Sequence, residues 1–123
     1  METLGIQIVE IGPDFIKASM PVDHRTVQPF RILHGGASVA LAESLGSFAG
    51  TLCLENLNTH TIVGVEINAN HLKAVKEILH HSLAESNFYQ SGILFQRFCQ
   101  TVSIVHQQVL LMLCPFLKVC LSK

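Results

Sequence analysis

The feature that most constrains the fold is a proline-free stretch of good helix-forming residues from position 37 to position 54. Its length and composition predict an α-helix of about five turns. Apolar or small residues fall on all sides of this helix, and a helix of that kind is normally wrapped by other structure. Glu43 is the only charged residue between Leu33 and Leu54. We therefore expect a central helix that carries one carboxylate.

Alternating apolar and polar residues predict antiparallel strands around this helix. Residues 4–8 alternate, residues 12–14 (GPD) have the composition of a turn, and an apolar run resumes at Phe15, so this part predicts a β-hairpin. A polar loop follows over residues 21–28, where Pro29 forces an extended backbone at Gln28. Residues 61–70 alternate again and predict another strand.

Composition excludes several classes of protein. A chain of 123 residues fits one domain, residues 1–123. A net charge of -1, with no run of Lys or Arg, argues against a nucleic-acid partner. The four cysteines form no CxxC pair, the N-terminus lacks signal-peptide character, and residues 109–121 fall short of a membrane span, so we expect a cytoplasmic protein.

The last third of the chain differs in character. Residues 78–123 contain four charged residues (Glu85, Arg97, Lys118 and Lys123) and show no clear period. Residues 100–113 fit a buried strand pair or a helix equally well, because short apolar runs do not separate these states.

Two features of the central segment suggest chemistry. A carboxylate in an apolar helix is costly to bury without a partner or a task, which makes Glu43 a candidate catalytic group, although an exposed Glu on a wet helix face is equally compatible. Ser47 follows one helical turn later and can orient that carboxylate or its water.

The sequence HGG at positions 34–36 precedes the helix, where backbone N–H groups are unpaired and can polarise a carbonyl oxygen. Gly35 would leave its amide open to a substrate, although a Gly-Gly pair is more often a simple tight turn. No GxSxG, Walker, GxGxxG or HExxH motif is present, and the seven histidines lack metal-ligand spacing. We expect neither a metal nor a cofactor.

Three ordered motifs resemble the hotdog-fold thioesterases of the hydroxybenzoyl-CoA and dihydroxynaphthoyl-CoA hydrolase type (PaaI-like). They are QPFRILHGG at 28–36, LAESLGS at 41–47 and GVEINANH at 64–71, within a family-like segment of residues 4–76 that includes MPVDHRT at 20–26. The resemblance implies an α+β fold, with an antiparallel sheet around a long central helix, and a homodimer or homotetramer with active sites at the subunit interface.

The resemblance also implies roles for individual residues. The Gly35 amide would polarise a thioester carbonyl, and Glu43, reaching across from a partner subunit, would attack it or activate water. Gln28 and His34 would position the thioester and the glycine loop, and Ser47 would hold water or the carboxylate. His71 and Lys73 match positions that meet the coenzyme A nucleotide, with a solvated surface as the alternative for both.

Three departures from the family pattern are visible. Arg31 stands where members usually have glycine, and the helix that usually precedes the first strand is absent. The atypical tail, residues 78–123, lacks the expected glycine-rich turn and two long strands, and a reading-frame shift near Glu77 would explain this. In that case the sheet would lose its centre or an edge.

Together these features favour an acyl-CoA thioesterase, with dihydroxynaphthoyl-CoA on the route to menaquinone as the first substrate to test. A catalytically inactive remnant and a non-hydrolytic acyl-CoA-binding hotdog protein are the alternatives.

Overall fold

The structure, a computed structural model, describes residues 1–54, 61–67, 69, 71, 74–76, 81–87, 95–97, 99–104 and 116–120, with side chains for 1–54, 62, 67, 69, 71 and 74–76. After a 3₁₀ turn at Glu2–Leu4, the elements are β1 (Gln7–Ile11), β2 (Phe15–Pro21), α1 (Gly35–Leu52), β3 (Thr61–Glu66), β4 (His81–Asn87), β5 (Phe95–Arg97), β6 (Cys99–Ile104) and β7 (Phe116–Cys120).

The described strands form two antiparallel groups beside the helix. One has the order β1-β2-β4-β6 and the other β3-β7-β5. One helix with antiparallel sheet confirms the predicted α+β class.

The predicted hairpin is confirmed as β1 and β2. The N–H of Gly12 donates to the carbonyl of Phe15 at 2.8 Å and closes the turn. A Cβ atom on Gly12 would lie 2.2 Å from Cε1 of Phe15, so a larger residue there would require the Phe15 ring to move. The pairing register shifts between Ile8 and Glu10, which makes a β-bulge at Val9. Strand β1 begins only at Gln7, because the preceding residues turn into the 3₁₀ helix.

The core lies between β2 and one face of α1. Ile16, Ala18 and Met20 alternate along β2 and are fully buried. They share the core with Leu41, Leu45 and Ala49, which recur every four residues along α1 and are also fully buried. Burying each large aliphatic side chain contributes about 1.5–3 kcal/mol. This packing fixes the rotation of α1 and therefore the directions of its other side chains.

The other face of α1 is only partly covered by its own chain. Phe48, at the edge of this face, is 37% exposed. Glu43, Ser44 and Ser47 on this face are half-buried. Strands of both groups contact α1, which confirms the predicted antiparallel sheet around a long central helix. Among the residues with described side chains, those on the helix face away from Leu41 and Leu45 are only half-buried.

The helix begins two residues before the predicted position 37, because His34 caps it at Gly35. It ends at Leu52, two residues before the predicted position 54. Strand β3 ends at Glu66 rather than at residue 70. A 3₁₀ turn at Glu2–Leu4 precedes the first strand. No helix within the described part of the chain has both the length and the apolar character needed to cross a membrane.

The tail contributes strands that its sequence did not predict. Strand β4 pairs with β2 over its full length, from Phe15 opposite Asn87 to Pro21 opposite His81, and β6 pairs with β4 on the other side. The sheet beside β2 is therefore continued by tail residues, contrary to the expected loss of its centre or edge. Of the segment 100–113, residues up to Ile104 are in β6, and residues 105–113 lie outside the described residues.

Candidate functional site

The loop between β2 and α1 is held by Thr26, whose side chain is 1% exposed. Its Oγ1 donates to the carbonyl of Pro21 at 2.7 Å and accepts from the N–H of Asp23 at 3.0 Å. Its carbonyl accepts from the N–H of His34 at 2.8 Å. One buried threonine therefore connects the end of β2, the loop and the residue that starts the helix.

An ion pair closes the outer side of this loop. The Nε atom of Arg25 donates to Oδ1 of Asp23 at 3.0 Å, and the N–H of Arg25 donates to the same oxygen at 2.9 Å. The side-chain hydrogen bond from Arg25 is the main reason that the pKa of Asp23 falls from 3.8 to about 2. The same contact raises the pKa of Arg25. The guanidinium also lies against Gly5, where a Cβ atom would be 2.9 Å from Nη1.

Residues 28–32 form a tight turn at the mouth of the site. The N–H of Arg31 donates to the carbonyl of Gln28 and the N–H of Gln28 donates to the carbonyl of Ile32, both at 2.9 Å. Arg31 has a φ of 60°, the one positive φ of a non-glycine residue in the described chain. This left-handed conformation favours glycine.

The start of α1 leaves one backbone donor open. The N–H of Gly36 donates to Nδ1 of His34 at 2.9 Å, and the N–H groups of Ala37 and Ser38 donate to the carbonyl of His34 at 2.9 and 3.3 Å. No described residue accepts a hydrogen bond from the N–H of Gly35. The first helical residue therefore presents, at the positive end of the helix dipole, an N–H that has no acceptor among the described residues.

His71 lies directly against Gly35, although 36 positions separate them in the sequence. A Cβ atom on Gly35 would lie 3.0 Å from Cε1 and 3.1 Å from Nε2 of the His71 ring. The hydroxyl of Ser38 contacts that ring at 2.8 Å. Gly35 therefore allows a close approach of the His71 ring, which would have to move by a few tenths of an ångström for a larger residue, and its φ is not positive.

Four predicted site residues meet in one cavity of about 400 Å³. Its lining consists of Gln28, Ile32, Leu33, His34, Gly35, His71 and Ala74. A hairpin-like arrangement brings these segments together, because the N–H of Leu33 donates to the carbonyl of Val75 at 2.7 Å and Ile32 bridges to Lys76. An apolar wall with a few convergent polar groups is typical of a small-molecule site.

Glu43 and Ser47 do not line this cavity. Glu43 follows Gly35 by eight positions on the same helix, so the two lie about 12 Å apart along the axis. Both side chains point to the partly covered face of α1. Within one chain, the structure therefore separates the carboxylate from the open amide. Lys73, the remaining predicted site residue, lies outside the described residues.

Ser38 is a site residue that the sequence did not indicate. Its side chain is 2% exposed and hydrogen-bonded to both Gly35 and His71. A serine in a helix is usually only a small packing residue, and nothing in the local pattern points to a histidine so far along the chain. Among the residues with described side chains, no three His, Cys, Asp or Glu residues cluster as a metal site would require.

Comparison with known proteins identifies the family. Residues 30–77 match the model of the thioesterase superfamily. The matched segment ends where the atypical tail begins. The ComA2 protein of Bacillus subtilis is 59% identical over 85 residues, which cover 69% of this chain and 67% of that protein. The 1,4-dihydroxy-2-naphthoyl-CoA hydrolase of Escherichia coli is 57% identical over 74 residues, which cover 60% of this chain and 53% of that enzyme.

The match with the E. coli enzyme thus spans about half of its length. A crystal structure of a thioesterase from Haemophilus influenzae superposes with a TM-score of 0.86 at 42% identity, covering 98% of this chain and 81% of that one. The chain belongs to the thioesterase superfamily and has the hotdog fold.

Proposed function

We propose that this chain is a thioester hydrolase that converts an aromatic or related acyl-CoA to the free acid and coenzyme A. The observation that carries the proposal is the open N–H of Gly35 on the wall of the cavity, at the start of α1. Such a donor stabilises the negative charge that develops on a thioester oxygen when its carbon is attacked. Membership of the thioesterase superfamily gives the substrate class.

Gln28 and His34 hold the thioester beside this amide. Because Nδ1 of His34 accepts from Gly36, the neutral ring carries its proton on Nε2, and that N–H is available on the cavity side. The amide of Gln28, which also lines the cavity, offers a further donor. Both side chains orient the substrate, and neither takes part in bond formation.

Glu43 supplies the carboxylate from a second copy of the chain. In its own chain it lies about 12 Å along the helix from Gly35, too far to act on a carbonyl bound at that amide. Its half-buried face is one that a partner subunit would cover. The minimal active unit is then a homodimer, which can pair again into a homotetramer.

The reaction needs only a carboxylate and a water molecule. Glu43 either attacks the carbonyl carbon or removes a proton from the attacking water, and the C–S bond breaks as the thiolate takes up a proton. Ser47, one turn from Glu43, orients the water or the carboxylate. His71 and Lys73 bind the nucleotide part of coenzyme A. No metal or cofactor enters these steps, so a chelator should leave the rate unchanged.

The name of the E. coli relative suggests the first substrate to test, 1,4-dihydroxy-2-naphthoyl-CoA. Hydrolysis of that ester would place the protein in menaquinone synthesis, in the cytoplasm. We propose one domain over residues 1–123, in which the atypical tail 78–123 completes the sheet beside the family-like segment 4–76.

The test is release of thiol from a panel of acyl-CoA esters, measured with a thiol-reactive dye. We expect the wild-type protein to hydrolyse aromatic esters, and Glu43→Ala to lower kcat by about 10²–10⁴. Glu10→Ala is the matched control, because Glu10 is an exposed carboxylate that pairs with Lys17 on the β1–β2 hairpin. Equal rates for wild type and Glu43→Ala would refute the proposal.

A further inference from the structure

Ser38 is a buried polar residue that the proposed hydrolysis does not use. It lies in the first turn of α1 with 2% of its surface exposed. Its Oγ atom is 2.8 Å from the carbonyl oxygen of Gly35 and 2.8 Å from Nε2 of His71. The hydroxyl therefore links the residue with the open amide to a histidine on another segment of the cavity wall.

The position of each proton follows from the contacts. A hydroxyl has one proton to donate, and a carbonyl oxygen can only accept. With the proton of Ser38 directed to the carbonyl of Gly35, Oγ accepts from His71 when Nε2 carries the ring proton, and we adopt this tautomer for the proposal. This arrangement suits both the neutral ring and the imidazolium, because Nε2 is protonated in each. The other ring nitrogen, Nδ1, is not used by the contact with Ser38, and the residue is exposed.

The ring is also fixed by packing. Its Cε1–Nε2 edge faces Gly35 so closely that a Cβ atom there would meet Cε1 at 3.0 Å. The hydrogen bond to Ser38 and this contact hold the ring from two directions. Removing the hydroxyl would leave the contact with Gly35 but no partner for Nε2, so the ring could rotate or change tautomer.

We propose that Ser38 is a positioning residue that holds His71 in its Nε2-protonated form and directs Nδ1 toward the coenzyme A part of the substrate. The inference rests on the proposed function for the identity of the ligand, but not for the state of the ring. Ser38 does not touch the reacting thioester. Its loss should therefore weaken binding of the coenzyme A portion and spare the chemical step.

A kinetic test uses two substrates with the same acyl group, one a coenzyme A ester and the other an N-acetylcysteamine thioester without the nucleotide. Ser38→Ala should raise KM for the coenzyme A ester about tenfold, the usual effect of one lost buried hydrogen bond, with kcat changed less than about twofold. The short thioester should show no change in KM. Equal changes in KM for the two esters, or a loss confined to kcat, would overturn the proposal.

A double-mutant cycle tests whether Ser38 acts through His71. In a His71→Ala background, Ser38→Ala should add no further increase in KM, because the group that it positions is gone. Additive effects would contradict the proposal. Thr51→Ala is the matched control: Oγ1 of Thr51 likewise donates to a helix carbonyl, that of Ser47 at 2.8 Å, but near the other end of α1. It should leave KM unchanged.

The state of the ring is measured directly by ¹⁵N NMR of the imidazole of His71 in the unliganded protein. We expect a hydrogen-bonded Nε2–H in wild type, and in Ser38→Ala the loss of the ¹⁵N shift that this hydrogen bond causes. An Nδ1–H tautomer in wild type, or an unchanged ring in the variant, would overturn the proposal. This result does not depend on activity, so it separates failure of the inference from failure of the proposed function. If Ser38→Ala does not fold, Ser38→Cys preserves side-chain volume with a weakly hydrogen-bonding thiol, and the same outcomes apply.

Discussion

His34 caps the helix that it precedes, because its Nδ1 atom accepts a hydrogen bond from the N–H of Gly36 at 2.9 Å. The fit is close, since a Cβ atom on Gly36 would lie 3.0 Å from the same nitrogen. One side chain therefore caps the helix and lines the cavity. Helix capping and the proposed positioning of the substrate therefore depend on a single imidazole.

Replacing His34 should separate these two roles. His34→Ala removes the cap and should lower the free energy of unfolding by about 1 kcal/mol. His34→Asn restores a capping acceptor, so its stability should be close to that of wild type. Both variants lack Nε2–H and should lose activity alike. Urea unfolding followed by circular dichroism, with thiol release on the same samples, measures both effects. An alanine variant as stable as wild type would show that the cap contributes nothing.

The amide of Gly35 can be removed with little disturbance to the helix. Proline is well accepted at the first helical position, and His34 already has the extended backbone, with φ -70° and ψ 126°, that a following proline requires. Gly35→Pro should lower kcat by about 10²–10³ because the donor is lost.

Gly35→Ala is the matched control for this change. It introduces the same Cβ atom against His71 but keeps the N–H. Its kcat should therefore exceed that of the proline variant by at least about tenfold. Equal kcat values for the two variants would assign the loss to crowding of His71 rather than to the amide.

Arg31 is strained by its left-handed backbone, with φ at 60°. Arg31→Gly should relieve about 1–2 kcal/mol of strain, and the greater freedom of glycine in the unfolded chain should cancel about 0.4–1 kcal/mol of that gain. We expect a net increase of about 0.5–1 kcal/mol in the free energy of unfolding. Arg31→Ala removes the same cation but keeps the strain, so it should show no such gain. A glycine variant no more stable than the alanine variant would contradict this account.

The Asp23–Arg25 pair predicts a dependence of stability on pH. The pKa of Asp23 is lowered from 3.8 to about 2 in the folded protein, so the folded state binds a proton less readily than the unfolded state. The stability that this provides is fully present above the unfolded value and is lost as pH falls through the folded one. The difference in urea midpoint between wild type and Asp23→Asn should shrink between about pH 4 and pH 2. A constant difference over that range would exclude the effect.

The sequence predicted the parts of the fold that local patterns determine. A long apolar segment and an alternating hairpin with a GPD turn specify α1, β1 and β2, and residues 34–36 indicated a helix start with open amides. Residues 78–123 were not predictable, because their strands pair with distant segments. Strand β4, for example, is defined by its pairing with β2 and not by any period of its own.

The site was predictable only as separate residues. That Gln28, His34, Gly35 and His71 share one cavity depends on contacts between distant segments, such as the bond from Leu33 to Val75. The role of Ser38 depends on a partner 33 positions away, which no helical spacing reveals. The sequence also did not indicate which face of α1 is only partly covered, because apolar or small residues occur on all sides of the helix.

The most direct measurement mixes two inactive variants of the full chain. Glu43→Ala and Gly35→Pro are unfolded together, refolded and assayed for thiol release beside each variant refolded alone and wild type treated in the same way. If each site takes Gly35 from one copy and Glu43 from the other, half of the dimers hold one intact site, and the mixture should recover about a quarter of wild-type activity. A mixture no more active than its two components would contradict a shared site.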